Sequence, residues 1–192
     1  MKVLGIYGSP RAGGNSDILL DHCLDGAREA GAEVMRVYVR DLGVSGCREC
    51  GGCDQTGECV QQDDMQKIYP LLIEADAIIV ATPMFFYAMP AKLKAVIDRA
   101  QAMWSRRKLK KPVSEWKNHT SGKGYMIAVG ATRGKNLFDG VEFTAKYFFD
   151  ALDMSYQRGL FFRQVEGKGE IENRPEALEQ AKAFGREIAS AK

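Results

Sequence analysis

The sequence predicts an α/β fold built on a parallel sheet, and three observations carry that reading. Short apolar runs alternate with amphipathic stretches from end to end. The middle runs are rich in Val and Ile, as strands covered on both faces should be. With 192 residues, 45% hydrophobic and 27% charged, the chain can bury one sizeable core and nothing suggests a second. A single domain over 1–192 is therefore expected, interrupted by a cysteine-bearing loop at about 41–62.

Five strands are placed, at Lys2 to Tyr7, Glu33 to Val39, Ala77 to Ala81, Gly124 to Val129 and Met154 to Phe162. Helices fill the intervals. The first should begin at Ser16, an N-cap candidate, and it carries Leu19, Cys23 and Ala27 at steps of four. That stripe accounts for Cys23 as packing. The second sets Met65, Ile68, Tyr69, Leu72 and Ile73 at helical spacing behind Asp63 and Asp64, with a kink expected at Pro70. The third opens at Pro90 and shows Leu93, Val96, Ile97, Ala100 and Trp104 on one stripe, with Trp104 read as core. The last runs from Asn173 and Pro175 through Leu178, Ala181, Phe184 and Ile188.

Two long loops remain, at about Asp41 to Gln62 and Arg106 to Lys123; long loops in compact domains usually carry function or move. The second holds Arg106, Arg107, Lys108, Lys110 and Lys111, a basic run that reads as solvated surface and less readily as a dock for a cofactor phosphate or an acidic protein. A formal net charge of +2 argues against nucleic acid as the main partner. The N-terminus carries no signal-peptide pattern and no apolar run approaches membrane-spanning length. Four of the five cysteines crowd into Cys47-x-x-Cys50-x-x-Cys53-x5-Cys59, and in a cytoplasmic protein, the location expected here, such crowding favours metal or redox chemistry over a disulfide framework.

Directly after the first strand comes Gly8-Ser9-Pro10-Arg11-Ala12-Gly13-Gly14-Asn15-Ser16, then a helix. Such a turn aims backbone NH groups and the positive end of the helix dipole at an anion, with Arg11 adding a full charge. Gly14 and Asn15 stand where a Walker A loop needs Lys and Ser/Thr, and Ser9 and Pro10 break G-x-G-x-x-G, so a terminal phosphate monoester fits better than a pyrophosphate. Alone, the segment could equally be an ordinary strand-to-helix turn.

After the third strand, Thr82-Pro83-Met84-Phe85-Phe86-Tyr87 puts three consecutive aromatics at the carboxyl end of a central strand, where open parallel sheets bind ligands. They cannot all face the core, so at least one is free to wall a flat ring. Taken singly, they are as readily a hydrophobic cluster under a loop. The fourth strand ends in Gly130-Ala131-Thr132, where the backbone can approach a ring edge. One phosphate loop and two ring loops at one sheet edge together describe an FMN site.

Three cysteines at intervals of three and a fourth six residues on can surround one small cluster, as compact ferredoxin-type runs do, whereas structural zinc more often uses two separated pairs. Cys47, Cys50, Cys53 and Cys59 are thus candidate ligands of a [4Fe-4S] cluster, and Cys23 is not. Neither His22 nor His119 stands in a catalytic constellation, which suits a flavin that carries the chemistry itself.

These segments resemble the NADPH-dependent FMN reductase superfamily of flavodoxin-like proteins, and within it the iron-sulfur flavoproteins. The most specific parts are residues 8–16, the compact cysteines followed by Asp63-Asp64-Met65, Ala75-Asp76-Ala77-Ile78-Ile79, and Met89-Pro90-Ala91-x-Leu93-Lys94-Ala95-x-Ile97-Asp98-Arg99. The resemblance implies a three-layer sandwich on a five-stranded sheet ordered 2-1-3-4-5 and a homo-oligomer, dimer or tetramer, with flavin sites near subunit contacts. It further implies that Ser9, Arg11, Asn15 and Ser16 hold the FMN phosphate, and that Pro83, Met84, Phe85, Phe86, Gly130, Ala131 and Thr132 edge the ring. Related proteins commonly carry Tyr where this chain has Phe85, so any role of that hydroxyl is lost here. The function expected is electron transfer between a [4Fe-4S] cluster and FMN, with a ferredoxin or other redox partner. The alternative is an NAD(P)H-dependent reductase of FMN or quinones whose cysteines stay empty. A receiver domain shares the topology but needs acidic residues where Gly8-Ser9 and Thr82-Pro83 stand, and a zinc-stabilised interaction module would lack flavin.

Overall fold

The structure, a computed structural model, describes residues 1–191. Five parallel strands form one sheet in the order β2-β1-β3-β4-β5. They are β1 (Lys2–Tyr7), β2 (Glu33–Tyr38), β3 (Ala77–Pro83), β4 (Gly122–Gly130) and β5 (Met154–Arg163). The order expected from the family resemblance is the order found. β1 and β3 are central and their apolar runs are buried almost throughout, because helices cover both faces.

On one face lie α1 (Asn15–Glu29) and α6 (Pro175–Ser190), which enclose a core of Leu19, Leu20, Cys23, Leu24, Ala181, Phe184 and Ile188 against Val3, Tyr7 and Ile79. These two helices pack backbone to backbone. A Cβ on Gly185 would stand 1.7 Å from the Cys23 carbonyl oxygen, and one on Gly26 would stand 1.9 Å from that of Lys182. On the other face lie α2 (Met65–Glu74), α3 (Ala91–Asp98), α4 (Gln101–Lys110) and α5 (Asp139–Ala151), around Leu4, Ile6, Ile78, Val80 and Met126. α2 runs on through Pro70.

Three expectations need correction. The third helix is two, α3 and α4, divided at Arg99–Ala100, where the Arg99 side chain turns into the protein. The basic run lies on α4 as far as Lys110 rather than in a loop, and Arg107 is not solvated: its buried guanidinium pairs with Asp150 at 3.0 Å and Asp153 at 3.3 Å. Trp104 is half-buried and sits edge-on to Trp116 at 4.9 Å between ring centres, outside both cores.

Because every strand is parallel, the loops after β1, β3, β4 and β5 all leave the same edge, as does the cysteine loop after β2. Open parallel sheets bind their ligands at that edge. No helix among the described residues is long and apolar enough to cross a membrane.

Candidate functional site

The loop after β1 is anchored at its start by Gly8 N donating to Ala81 O at 2.8 Å. It then folds on itself: Arg11 N donates to Ser9 Oγ at 3.1 Å and Gly14 N to Arg11 O at 3.3 Å. Gly13, at φ +63°, takes the left-handed turn and its NH meets Asp17 Oδ2 at 3.2 Å. Helix α1 starts at Asn15 with Gly14 as its N-cap, so the expected Ser16 cap is not formed; Ser16 lies inside the first turn. Its Oγ is buried with no hydrogen-bond partner, and the Gly14 cap offers no side chain to the free NH groups of that turn. A buried hydroxyl at a positive helix end is what a phosphate oxygen would satisfy.

Asn15 is engaged differently from the expectation. Its amide donates to Gly167 O at 2.8 Å and accepts from Ile171 N at 3.1 Å, tying the loop after β5 to the start of α1. Arg11 is exposed.

Met84 N donates to Val129 O at 2.9 Å, which holds the loops after β3 and β4 together. Beyond it Phe85 and Ala88 exchange both backbone hydrogen bonds at 2.9 Å, closing a two-residue turn. Its central residues, Phe86 and Tyr87, lie at φ +49° and +61°. Two-residue hairpins favour that left-handed geometry, but Asn-Gly normally supplies it; here bulky aromatics hold it under strain, with the Phe86 ring fully exposed.

Between these loops lies a cavity of about 180 Å³ lined by Ser9, Arg11, Gly14, Asn15, Ser16, Pro83, Met84, Phe85, Val129, Ala131, Val165 and Glu166. Seven of the sequence-identified residues of the first two loops and Ala131 of the third thus face one space. Phe86, Gly130 and Thr132 do not line it. Val129, Val165 and Glu166 were missed. The signal for the last two was available in Gly167-Lys168-Gly169, a small-residue turn after the fifth strand at the same sheet edge. The orphaned Ser16 hydroxyl, the helix start and the flat wall of Phe85 fit a phosphate monoester joined to a planar ring.

The cysteine loop forms a second space, about 540 Å³, lined by all four of Cys47, Cys50, Cys53 and Cys59 together with Arg99 and Lys108. All four thiols are free, Cys47 and Cys50 exposed and the others half-buried. Gly51 and Gly57 take left-handed φ of +68° and +71°, which lets so short a loop reverse direction. Burial raises the Cys59 thiol, but the Gln61 backbone NH, the Tyr69 hydroxyl and the Arg99 guanidinium outweigh it and leave the pKa below its ordinary value. Cys23, by contrast, is core, and burial pushes its thiol up to about 12. Among the described residues no three His, Cys, Asp or Glu side chains stand close enough to hold a single metal ion.

A family profile described as NADPH-dependent FMN reductase matches residues 1–163. The chain belongs to that family. It is 40% identical over 110 residues to an iron-sulfur flavoprotein of Archaeoglobus fulgidus, covering 57% of this chain and 50% of that one. Over 100 residues it is 42% identical to an iron-sulfur flavoprotein of Methanosarcina thermophila, covering 52% of each. A putative NAD(P)H-dependent FMN-containing oxidoreductase of Bacillus subtilis is 29% identical over 136 residues, 70% of each chain. The alignments thus span about half the length of the iron-sulfur relatives. Among solved structures, a flavone reductase superposes with a TM-score of 0.75 at 21% identity, covering 100% of this chain and 62% of that one. An archaeal flavodoxin superposes with a TM-score of 0.58 at 16% identity over 99% and 97%. At such identities these neighbours establish the fold alone.

Proposed function

We propose that this family member is an iron-sulfur flavoprotein that binds FMN between the loops after β1, β3, β4 and β5, binds a [4Fe-4S] cluster at Cys47, Cys50, Cys53 and Cys59, and passes electrons between them. The observation that carries the reading is that all four clustered cysteines of a flavodoxin-like chain line one cavity. The iron-sulfur relatives support it by name.

FMN would supply one- and two-electron redox chemistry, and the cluster would supply single electrons. The protein's part is positional. Ser9 and Ser16, with the first NH groups of α1, hold the phosphate; Arg11 adds charge from the surface. Asn15 holds the 167–171 turn, so that Val165 and Glu166 face the ring pocket. Met84 and Phe85 wall the ring, and the strained, exposed Phe86-Tyr87 tip continues the loop beyond that wall, where donors and acceptors would approach.

Anaerobic protein reconstituted with iron and sulfide should bind iron, show broad absorbance beneath the flavin bands, and release FMN rather than FAD in acid. Replacing any one of the four cysteines by Ala should abolish the cluster and leave FMN bound. A wild-type protein without bound iron would overturn the cluster.

The second reading, an NAD(P)H-dependent reductase of FMN or quinones with free thiols, is favoured by the exposure of Cys47 and Cys50 and by the Bacillus relative. NAD(P)H oxidation by iron-free protein at an undiminished rate would select it. Phe143 and Tyr147, exposed side by side on α5, support the homo-oligomer expectation, which light scattering tests.

A further inference from the structure

Neither the sequence motifs nor the family assign a task to Arg99, the largest fully buried side chain among the described residues. It leaves the end of α3 and points into the cysteine loop. Nη1 donates to Ser45 O at 3.0 Å and to Asp63 Oδ2 at 2.6 Å, and Nη2 reaches Gln61 O at 3.4 Å. Ser45 precedes the first clustered cysteine and Gln61 follows the last, so one guanidinium spans both ends of the loop. Asp63 repeats the tie from the other side, accepting from Ser45 N at 3.1 Å and Met65 N at 3.0 Å. Tyr69 OH fixes the arginine's own carbonyl at 2.9 Å.

A buried pair that merely tethered a loop would satisfy itself. Here Nε is buried without a partner, and Arg99 lines the cavity shared by the four thiols. Lys108 is the second cation there.

We propose that Arg99 is the positioning residue of the cysteine loop: it clasps both ends so that four thiols face one cavity before any cluster binds, and it fixes a positive charge there. Asp63 at 2.6 Å and the Glu49, Asp54 and Asp98 carboxylates that line the cavity offset that charge, so taking the guanidinium away leaves them unanswered and disfavours the more negative, reduced state of a bound cluster. The effect on the cluster rests on the reading of the cysteines as cluster ligands; the clasp does not. A lysine cannot replace it, because an ammonium lacks the planar fork that reaches three acceptors in two directions.

The test compares wild type with Arg99→Gln, Arg99→Lys and Asp63→Asn. In FMN-loaded, metal-free protein, iodoacetamide should alkylate the half-buried Cys53 roughly ten- to a hundredfold faster in the variants, as expected from losing hydrogen bonds to a charged group, while the exposed Cys47 and Cys50 keep their rates. In reconstituted protein, Arg99→Gln should shift the cluster midpoint to lower potential. Arg99→Lys should hold the potential but lose iron to a ferrous chelator faster than wild type. If Arg99→Gln binds FMN and leaves thiol rates and potential unchanged, the proposal is overturned. Iron-free wild type with faster thiols in the variants would remove the cluster and keep the clasp; loaded wild type with indistinguishable variants would do the reverse. Should both Arg99 variants fail to fold, Asp63→Asn carries the same comparison, and an unchanged Cys53 rate in that variant overturns the clasp.

Discussion

Replacing Ser16 by Ala should strengthen the flavin-free protein and weaken the flavin-bound one, two effects of opposite sign from one atom. Ser16 Oγ is buried and no protein group partners it. Leaving a hydroxyl in that state costs about 1–3 kcal/mol, and alanine removes it at a helix position it prefers by a few tenths more. The apoprotein should therefore gain about 1 kcal/mol after allowance for the small void, which is roughly 2–4 °C in thermal midpoint for a domain of this size. With FMN bound, the hydroxyl would donate to a charged phosphate oxygen, an interaction of about 1.5–3 kcal/mol, so the dissociation constant should rise about ten- to 150-fold. Bound flavin stabilises by about 2.7 kcal/mol at a hundredfold excess over the dissociation constant, and about half of that vanishes when affinity drops tenfold. The gap between apo and holo midpoints should thus shrink from both sides. Denaturant melts of apoprotein and flavin fluorescence titration measure the two halves. An apoprotein destabilised by Ser16→Ala, together with unchanged FMN affinity, would refute the assignment of Ser16 to the phosphate.

Gly185→Ala should destabilise the fold by about 1–3 kcal/mol or more, since its Cβ would overlap the Cys23 carbonyl at 1.7 Å; an unchanged denaturation midpoint would contradict the α1–α6 packing. Changing Phe86-Tyr87 to Asn-Gly should relieve left-handed strain and raise stability by about 1–2 kcal/mol, while altering flavin fluorescence and reduction rate. If stability rises and the flavin is indifferent, the tip has no part in the site. Cys23, whose thiol is pushed up to about 12 by burial, should resist alkylation in native protein and react only on unfolding, whereas Cys47 reacts at once; mass mapping after brief labelling reads both.

Much of the fold was legible because the local pattern and the tertiary structure agree. The central strands are apolar runs since helices cover both their faces, and α1, α2 and α6 bury one stripe each. α5 escaped placement although Val141, Ala145, Phe148 and Phe149 repeat at helical spacing, because Phe143 and Tyr147 put aromatics on its outer face and blur the stripe. The break between α3 and α4 has no local signal, since Arg99 is drawn aside by Asp63 and Ser45, distant in sequence. The burial of Arg107 rests likewise on Asp150 and Asp153, on and after α5. For the site, residue types and spacing located the phosphate and ring loops. They could not reveal that the Asn15 amide is spent on Gly167 and Ile171, a contact made only when β5 returns beside β4.

The electrostatics beneath the phosphate loop explain why a buried carboxylate can sit so close to a proposed anion site. Asp17 is almost fully buried in the first turn of α1, and burial raises its pKa, opposed by Arg40. Uncompensated, a negative charge there would repel a phosphate and cancel the helix dipole. One carboxylate oxygen is committed: Oδ2 accepts from Arg40 at 2.8 Å and from Gly13 N at 3.2 Å, while Oδ1 is buried without a protein partner. Arg40 is itself only partly exposed, and Lys92 caps its carbonyl at 2.5 Å. The pair is near neutral as a unit, so its effect is mechanical, holding Gly13 in the left-handed turn that brings Gly14 and the start of α1 up to the cavity. Attraction for the anion is then left to the helix terminus and to Arg11. Removing Arg40 would expose that division of labour, since Arg40→Met leaves every proposed phosphate contact in place yet uncovers the Asp17 charge. FMN affinity should fall in Arg40→Met and recover in the double variant with Asp17→Asn, and failure of that recovery would return Arg40 to a purely structural part.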